Sequence, residues 1–153
     1  MPLKKIKLLL VDDEENFVNT LSERMKMRDV PSKVVYSGEQ ALEVVETETP
    51  DVMVLDLRMP GIDGMEVLRK VRKAHPKVQV IILTGHGTTL DEEEAKRLGA
   101  FHYHKKPIDI DELLGTVKKA YRERIEDAMV AATFAQAGDF NGARDILDED
   151  KQK

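Results

Sequence analysis

Apolar positions along the chain follow two patterns that alternate from one end to the other. Ile6-Lys7-Leu8-Leu9-Leu10-Val11, Val52-Met53-Val54-Leu55 and Val78-Gln79-Val80-Ile81-Ile82-Leu83 are short, nearly continuous apolar runs. Weaker ones stand at Lys33-Val34-Val35-Tyr36 and Phe101-His102-Tyr103-His104. Runs that are apolar on both sides read as strands buried on both faces of a parallel sheet.

Between the runs the spacing changes to that of helices. Phe17, Leu21 and Met25 recur every fourth residue; Ala41, Leu42, Val44 and Val45 follow Ser37, a candidate cap; Val67, Leu68 and Val71 follow Asp63, another. Leu90, Ala95 and Leu98 precede Gly99, a C-terminal stop, and Leu113, Leu114, Val117, Ala120 and Tyr121 form the last stripe. Five strands alternating with five helices predict an α/β fold, a doubly wound parallel sheet with helices on both faces.

Composition narrows the function. The chain has 153 residues with 35% charged and 41% hydrophobic, which suits one soluble domain with an appendage. A net charge of −5 argues against direct nucleic-acid binding, which shows a basic footprint. Without cysteine there is no disulfide framework, thiol nucleophile or Cys-ligated metal. No apolar run is long enough to span a bilayer, and the acidic residues after Val11 do not fit a secretory signal, so a cytoplasmic location is expected.

In doubly wound sheets, chemistry gathers beyond the carboxyl ends of the strands. The residues there are Asp12 and Asp13 after the first strand, Asp56 after the third, Thr84 after the fourth, and Lys105 and Lys106 after the fifth. Any one could be a polar residue ending a buried strand, but together they make a coherent set. Clustered carboxylates repel one another and call for a hard divalent cation, for which magnesium is the natural candidate. A carboxylate beside such an ion is a nucleophile toward phosphorus, with Lys106 and Thr84 placed to meet the phosphoryl oxygens. The predicted chemistry is acyl-phosphate formation on an aspartate.

These residues sit in motifs that resemble the receiver domains of two-component response regulators. The motifs are LLLVDDEE at 8–15, DVMVLDLRMPGIDGMEVL at 51–68, IILTGHG at 81–87, LGA at 98–100 and YHKKPID at 103–109, and the likeness runs from about Ile6 to Tyr121. The resemblance implies a flavodoxin-like strand order of 2-1-3-4-5. It also implies that Asp56 accepts a phosphoryl group from a phosphohistidine of a sensor histidine kinase or phosphotransfer protein. Magnesium would be held by Asp12, Asp13, Asp56 and the backbone carbonyl of Arg58. Lys106 would neutralise phosphoryl charge before a cis bond to Pro107, and Thr84 and Tyr103 would form the switch. Arg58 and His86, two residues after Asp56 and Thr84, would modulate the phosphoryl lifetime by overhanging the site, or else point to solvent. Pro60 and Gly64 would shape the acceptor loop, Gly64 by permitting positive φ. The small Gly85 would leave the pocket open.

Other features carry plainer readings. Asp91-Glu92-Glu93-Glu94 is the acidic first turn of the fourth helix. His75, His102 and His104 lack metal-ligand spacing, the methionines are core filler, and Lys105 is a solvated charge.

The receiver is expected to occupy residues 1–124 and an extension residues 125–153. Tyr121, Ile125, Ala128, Met129 and Ala132 continue the last stripe into the extension. Ala137-Gly138-Asp139 reads as a turn, and Phe140, Ala143, Ile146 and Leu147 form a second apolar face, which predicts a helical hairpin. Residues 125–153 hold seven acids and three bases, so most of the net charge belongs to this segment. Phosphorylation would switch the surface of the fourth helix, fifth strand and fifth helix for a downstream protein partner or a homodimer, with the extension taking part. Two other readings compete. The chain could be the receiver part of a larger regulator whose output domain is absent. A haloacid-dehalogenase-like phosphatase also uses an aspartate nucleophile, but it needs an acid two residues later, where Arg58 stands, and its nucleophile follows the first strand.

Overall fold

A computed structural model describes residues 5–136, with side chains as far as Glu126. In chain order, β1 (Leu8–Val11) leads to α1 (Glu15–Lys26), β2 (Ser32–Val35) to α2 (Gly38–Thr47), and β3 (Val52–Leu55) to α3 (Gly64–Ala74). β4 (Gln79–Thr84) leads to α4 (Thr89–Arg97), and β5 (His102–Lys105) to α5 (Ile110–Gln136). All paired strands are parallel, in the order β2-β1-β3-β4-β5. This is the doubly wound, flavodoxin-like arrangement predicted above.

Strand alternation divides the core into two layers. Leu9 and Val11, Met53 and Leu55, and Val80 and Ile82 pack with Ala41, Val45, Val67, Leu68 and Val71 of α2 and α3. Their neighbours Leu8 and Leu10, Val52 and Val54, and Ile81 and Leu83 pack on the opposite face with Val18, Met25, Leu113 and Val117 of α1 and α5. The central strands β1, β3 and β4 are buried on both faces and read as nearly continuous apolar runs, whereas the edge strands β2 and β5 expose Lys33, His102 and Lys105.

Local signals set the helix ends. Ser37 Oγ accepts the Gln40 N–H, and an Asp63 carboxylate oxygen accepts the Glu66 N–H. Thr88 and Asp91 form a reciprocal capping box at α4, and Gly99 follows that helix at φ 100°. Two expectations need correction. Leu90 does not belong to the buried stripe of α4: it is 75% exposed, whereas Ala95 is buried and Leu98 half-buried. Five residues of helix rotate Leu90 about 140° away from Ala95, while three bring Leu98 back to the same side. The positive φ of the β3–α3 loop lies at Gly61 (78°), not Gly64. Gly64 is required sterically, because a Cβ there would lie 2.1 Å from the Asp56 carbonyl oxygen.

At the amino-terminal edge of the sheet, Arg124 of α5 donates through Nε to Asp51 Oδ1 at 2.9 Å and through Nη1 to the Lys77 carbonyl at 2.6 Å. Asp51 Oδ2 accepts the Lys7 N–H at 2.9 Å, so the Asp51–Arg124 pair joins the starts of β1, β3 and β4 to the last helix. α5 continues without a break past this clamp to Gln136. The turn at 137–139 and the second helix expected around Phe140–Leu147 lie outside the described residues.

Candidate functional site

Strand register brings the acids together. Val11 and Leu55 are register partners in β1 and β3, so the next residues, Asp12 and Asp56, emerge side by side at the carboxyl edge. The Asp56 N–H still donates to the Val11 carbonyl at 3.0 Å. One carboxylate oxygen from each of Asp12, Asp13 and Asp56 lies within 4.8 Å of the others; Asp12 and Asp56 are buried and Asp13 is exposed. Thr84 ends β4 opposite Lys105 of β5, which carries Lys106 to the same edge.

Lys106 is the cation facing this cluster. Its Nζ donates to Asp12 Oδ2 at 2.7 Å and to Glu14 Oε1 at 3.1 Å, and lies 3.6 Å from Asp56 Oδ2. The Lys106–Pro107 peptide bond is cis, as the resemblance implied. Burial pushes the Asp12 carboxyl up to about 6, aided by the Asp56 charge and opposed by the Lys106 hydrogen bond and the Glu14 amide. Burial pulls the Lys106 ammonium down, but its hydrogen bond to Asp12 and the charges of Asp12 and Asp56 carry it above the ordinary lysine value. Three acids thus share one ammonium, with Asp13 crowded beside them, and the buried Asp12 is left under-neutralised. A set of oxygen donors with excess negative charge fits a hard divalent cation such as magnesium.

Thr84 is fully buried, and its Oγ1 accepts the His86 N–H at 3.5 Å. The Tyr103 ring is buried in the layer of α2 and α3, and its hydroxyl is buried without a hydrogen-bond partner. Burial, reinforced by Asp91 and Glu92, raises the Tyr103 phenol above its ordinary value. Gly87 makes this inward position possible, since a Cβ on it would lie 1.7 Å from the Tyr103 hydroxyl and 2.9 Å from Thr84 Cγ2. A Cβ on Gly85 would meet only the Lys106 stem, at 3.7 and 3.8 Å, so the tight position in this loop is Gly87.

Arg58 and His86 are both exposed. The Arg58 N–H lies 3.3 Å from Asp56 Oδ1, whereas its guanidinium reaches Asp91 Oδ2 of α4 at 2.6 Å. Its half-exposed side chain is turned toward α4. Lys105 is exposed, His75 pairs with Glu46 at 2.8 Å, and His104 hydrogen-bonds Thr116 at 2.8 Å beside the His102 ring.

Periodicity alone does not mark Glu14, Phe17, Gly87 or Thr88 as supporting the site, and it places Asp91 only in a helix turn. Phe17 lies under Lys106 Nζ at 4.2 Å from its ring centroid, a cation–π contact. Its periodicity signalled only the core face of α1. The acidic run after Val11 was a signal for Glu14; nothing local signalled the Arg58–Asp91 pair.

Residues 8–118 match the response regulator receiver domain family. The chain is 37% identical over 113 residues to sporulation initiation phosphotransferase F of Bacillus subtilis (strain 168), covering 74% of this chain and 91% of that protein. It is 36% identical over 111 residues to the DNA-binding transcriptional regulator NtrC of Klebsiella pneumoniae, covering 72% of this chain and 24% of that relative. The chain therefore spans about a quarter of the NtrC relative's length. Among solved structures, the signal receiver domain of a putative Luxo repressor protein from Vibrio parahaemolyticus superposes with a TM-score of 0.77 at 26% identity, covering 82% of this chain and 96% of that one. With its strand order, its acidic edge and these matches, the chain belongs to the response regulator receiver domain family of two-component systems.

Proposed function

We propose that Asp56 is the phosphoacceptor of this receiver and that a sensor histidine kinase or phosphotransfer protein is the donor. The observation that carries the reading is the placing of Lys106 Nζ 3.6 Å from Asp56 Oδ2, inside a cluster of three aspartates. An Asp56 carboxylate oxygen attacks phosphorus in line. The P–N bond of the phosphohistidine breaks, and its electron pair and a proton stay on the departing imidazole.

The chain's own residues then do three things. Lys106 supplies positive charge to the phosphoryl oxygens. The Thr84 hydroxyl turns to donate to one of them, and Tyr103, already inward beside it, packs into the space it leaves. Asp12, Asp13, Asp56 and the Arg58 carbonyl would hold magnesium, which when bound neutralises phosphoryl charge. The resulting change would alter the α4–β5–α5 surface offered to a downstream protein or a second copy, with α5 carrying the change toward residues 125–153. The protein acts as a switch that catalyses only its own phosphotransfer and dephosphorylation. It would work in the cytoplasm, and no helix among the described residues is long and apolar enough to cross a membrane.

The NtrC relative, of which the chain spans about a quarter, favours a second reading in which the same switch is the receiver part of a longer regulator. In either case the test is labelling with acetyl phosphate and magnesium. The wild-type chain should gain one phosphoryl group by intact mass, and Asp56→Asn should gain none; equal labelling of the variant refutes the assignment.

A further inference from the structure

Arg58 is tied to the acceptor through its backbone, with its N–H 3.3 Å from Asp56 Oδ1, but its side chain leaves in another direction. Its Nη2 meets Asp91 Oδ2 at 2.6 Å, joining the β3–α3 loop to the first turn of α4 across 33 residues of sequence. Asp91 is already employed. Its Oδ2 accepts the Thr88 N–H at 3.0 Å, and its own N–H donates to Thr88 Oγ1 at 3.1 Å. One carboxylate therefore caps α4 and holds the arginine that stands two residues beyond the acceptor.

The pair is held in a partly open groove between α3 and α4, with the Arg58 side chain 53% exposed and that of Asp91 20% exposed. A half-exposed, single-point ion pair is weak and easily exchanged. A phosphoryl group offers a guanidinium more charge and two oxygens at once, which is the geometry an arginine fork matches best. Arg58 is rooted next to Asp56 and has one guanidinium to share between the two anions.

We propose that Asp91 is a positioning residue for the reaction at Asp56: it holds Arg58 away from the acceptor in the unloaded protein and cedes it to the phosphoryl group when Asp56 is loaded. The inference rests on the reading of Asp56 as phosphoacceptor. It gives loading a direct route to α4, because the carboxylate that caps the helix loses its arginine in the same event. It also makes the lifetime of the phosphoryl group depend on a residue outside the acceptor pocket.

The test uses the full chain with beryllofluoride and magnesium in the wild type, Asp91→Asn, Arg58→Gln and the double variant, with Asp56→Asn as control. Asparagine keeps an oxygen for the Thr88 amide, so the α4 cap survives. Asp91→Asn should bind beryllofluoride about threefold more tightly, and no more than about fivefold, the scale of one half-exposed ion pair. The same substitution made on Arg58→Gln should change nothing. In the wild type, the Arg58 Nε–Hε NMR signal should move on loading, a readout that needs no variant to fold. An equal effect of Asp91→Asn in both backgrounds, no effect in either, or an unmoved Arg58 signal overturns the inference while Asp56 remains the acceptor. Equal binding by Asp56→Asn and wild type overturns the acceptor reading and this inference together.

Discussion

The two ends of the sheet handle buried carboxylates in opposite ways. At the amino-terminal edge, Asp51 is satisfied: Arg124 Nε and the Lys7 amide each approach one of its oxygens at 2.9 Å. At the carboxyl edge, Asp12, Asp13 and Asp56 crowd within 4.8 Å, and Lys106 divides itself among Asp12, Glu14 and Asp56. A paired carboxylate holds a fold together, whereas an under-neutralised cluster costs stability and is retained for what it binds. One edge is built as a clamp, and the other gathers excess negative charge around a single lysine.

The largest expected break between the edges is with pH. The folded chain keeps a proton on Asp12 up to about 6, while the unfolded chain loses it near the ordinary aspartate value of 3.8. Between those values the folded state binds more protons, so stability falls as pH rises. The wild type should lose at most about 3 kcal/mol relative to Asp12→Asn across this window, measured by urea melts without divalent cations. On the reading that the ionised carboxylates hold magnesium, adding it should remove the loss. A wild type that gains on the variant as pH rises would place Asp12 with the satisfied acids.

Arg124→Ala tests the clamp. Removing a charged partner from a mostly buried carboxylate should cost about 2 kcal/mol in a urea melt, with phosphoryl acceptance at the far edge retained. If labelling of Asp56 fell as much as stability, the two edges would not be separable.

The smallest effect concerns packing beside the site. Gly87→Ala should cost about 1 kcal/mol and drive the Tyr103 ring outward, seen as increased quenching of tyrosine fluorescence, because the new methyl claims the hydroxyl's place. Gly85→Ala, with only ordinary contacts to the Lys106 stem, should leave both stability and tyrosine fluorescence close to wild type. A buried Tyr103 in Gly87→Ala would show that the loop, not the ring, gives way.

Much of this could be read before any contact was known. The apolar runs marked the strands of the two-layered core, Ser37 and Asp63 marked helix starts, and Gly99 a helix end. Asp12, Asp13, Asp56, Thr84 and Lys106 could be placed at one edge because each follows or ends a strand. Leu90 resembles a core position in the sequence because it is apolar and near a helix start, and only its rotation relative to Ala95 turns it outward. At Gly64 the sequence suggests a conformational need, whereas the structure shows that the closeness of the Asp56 carbonyl excludes a side chain.

The sequence by itself determined the elements, their order and the chemistry that collects at the carboxyl edge, since periodicity and caps act over a few residues. Only the tertiary structure decided who shares Lys106, why Gly87 must be small, and that Arg58 turns to Asp91. Those contacts join residues 94, 16 and 33 positions apart (Lys106–Asp12, Tyr103–Gly87, Arg58–Asp91), and they exist because parallel register and helix rotation set the strand ends and loops side by side.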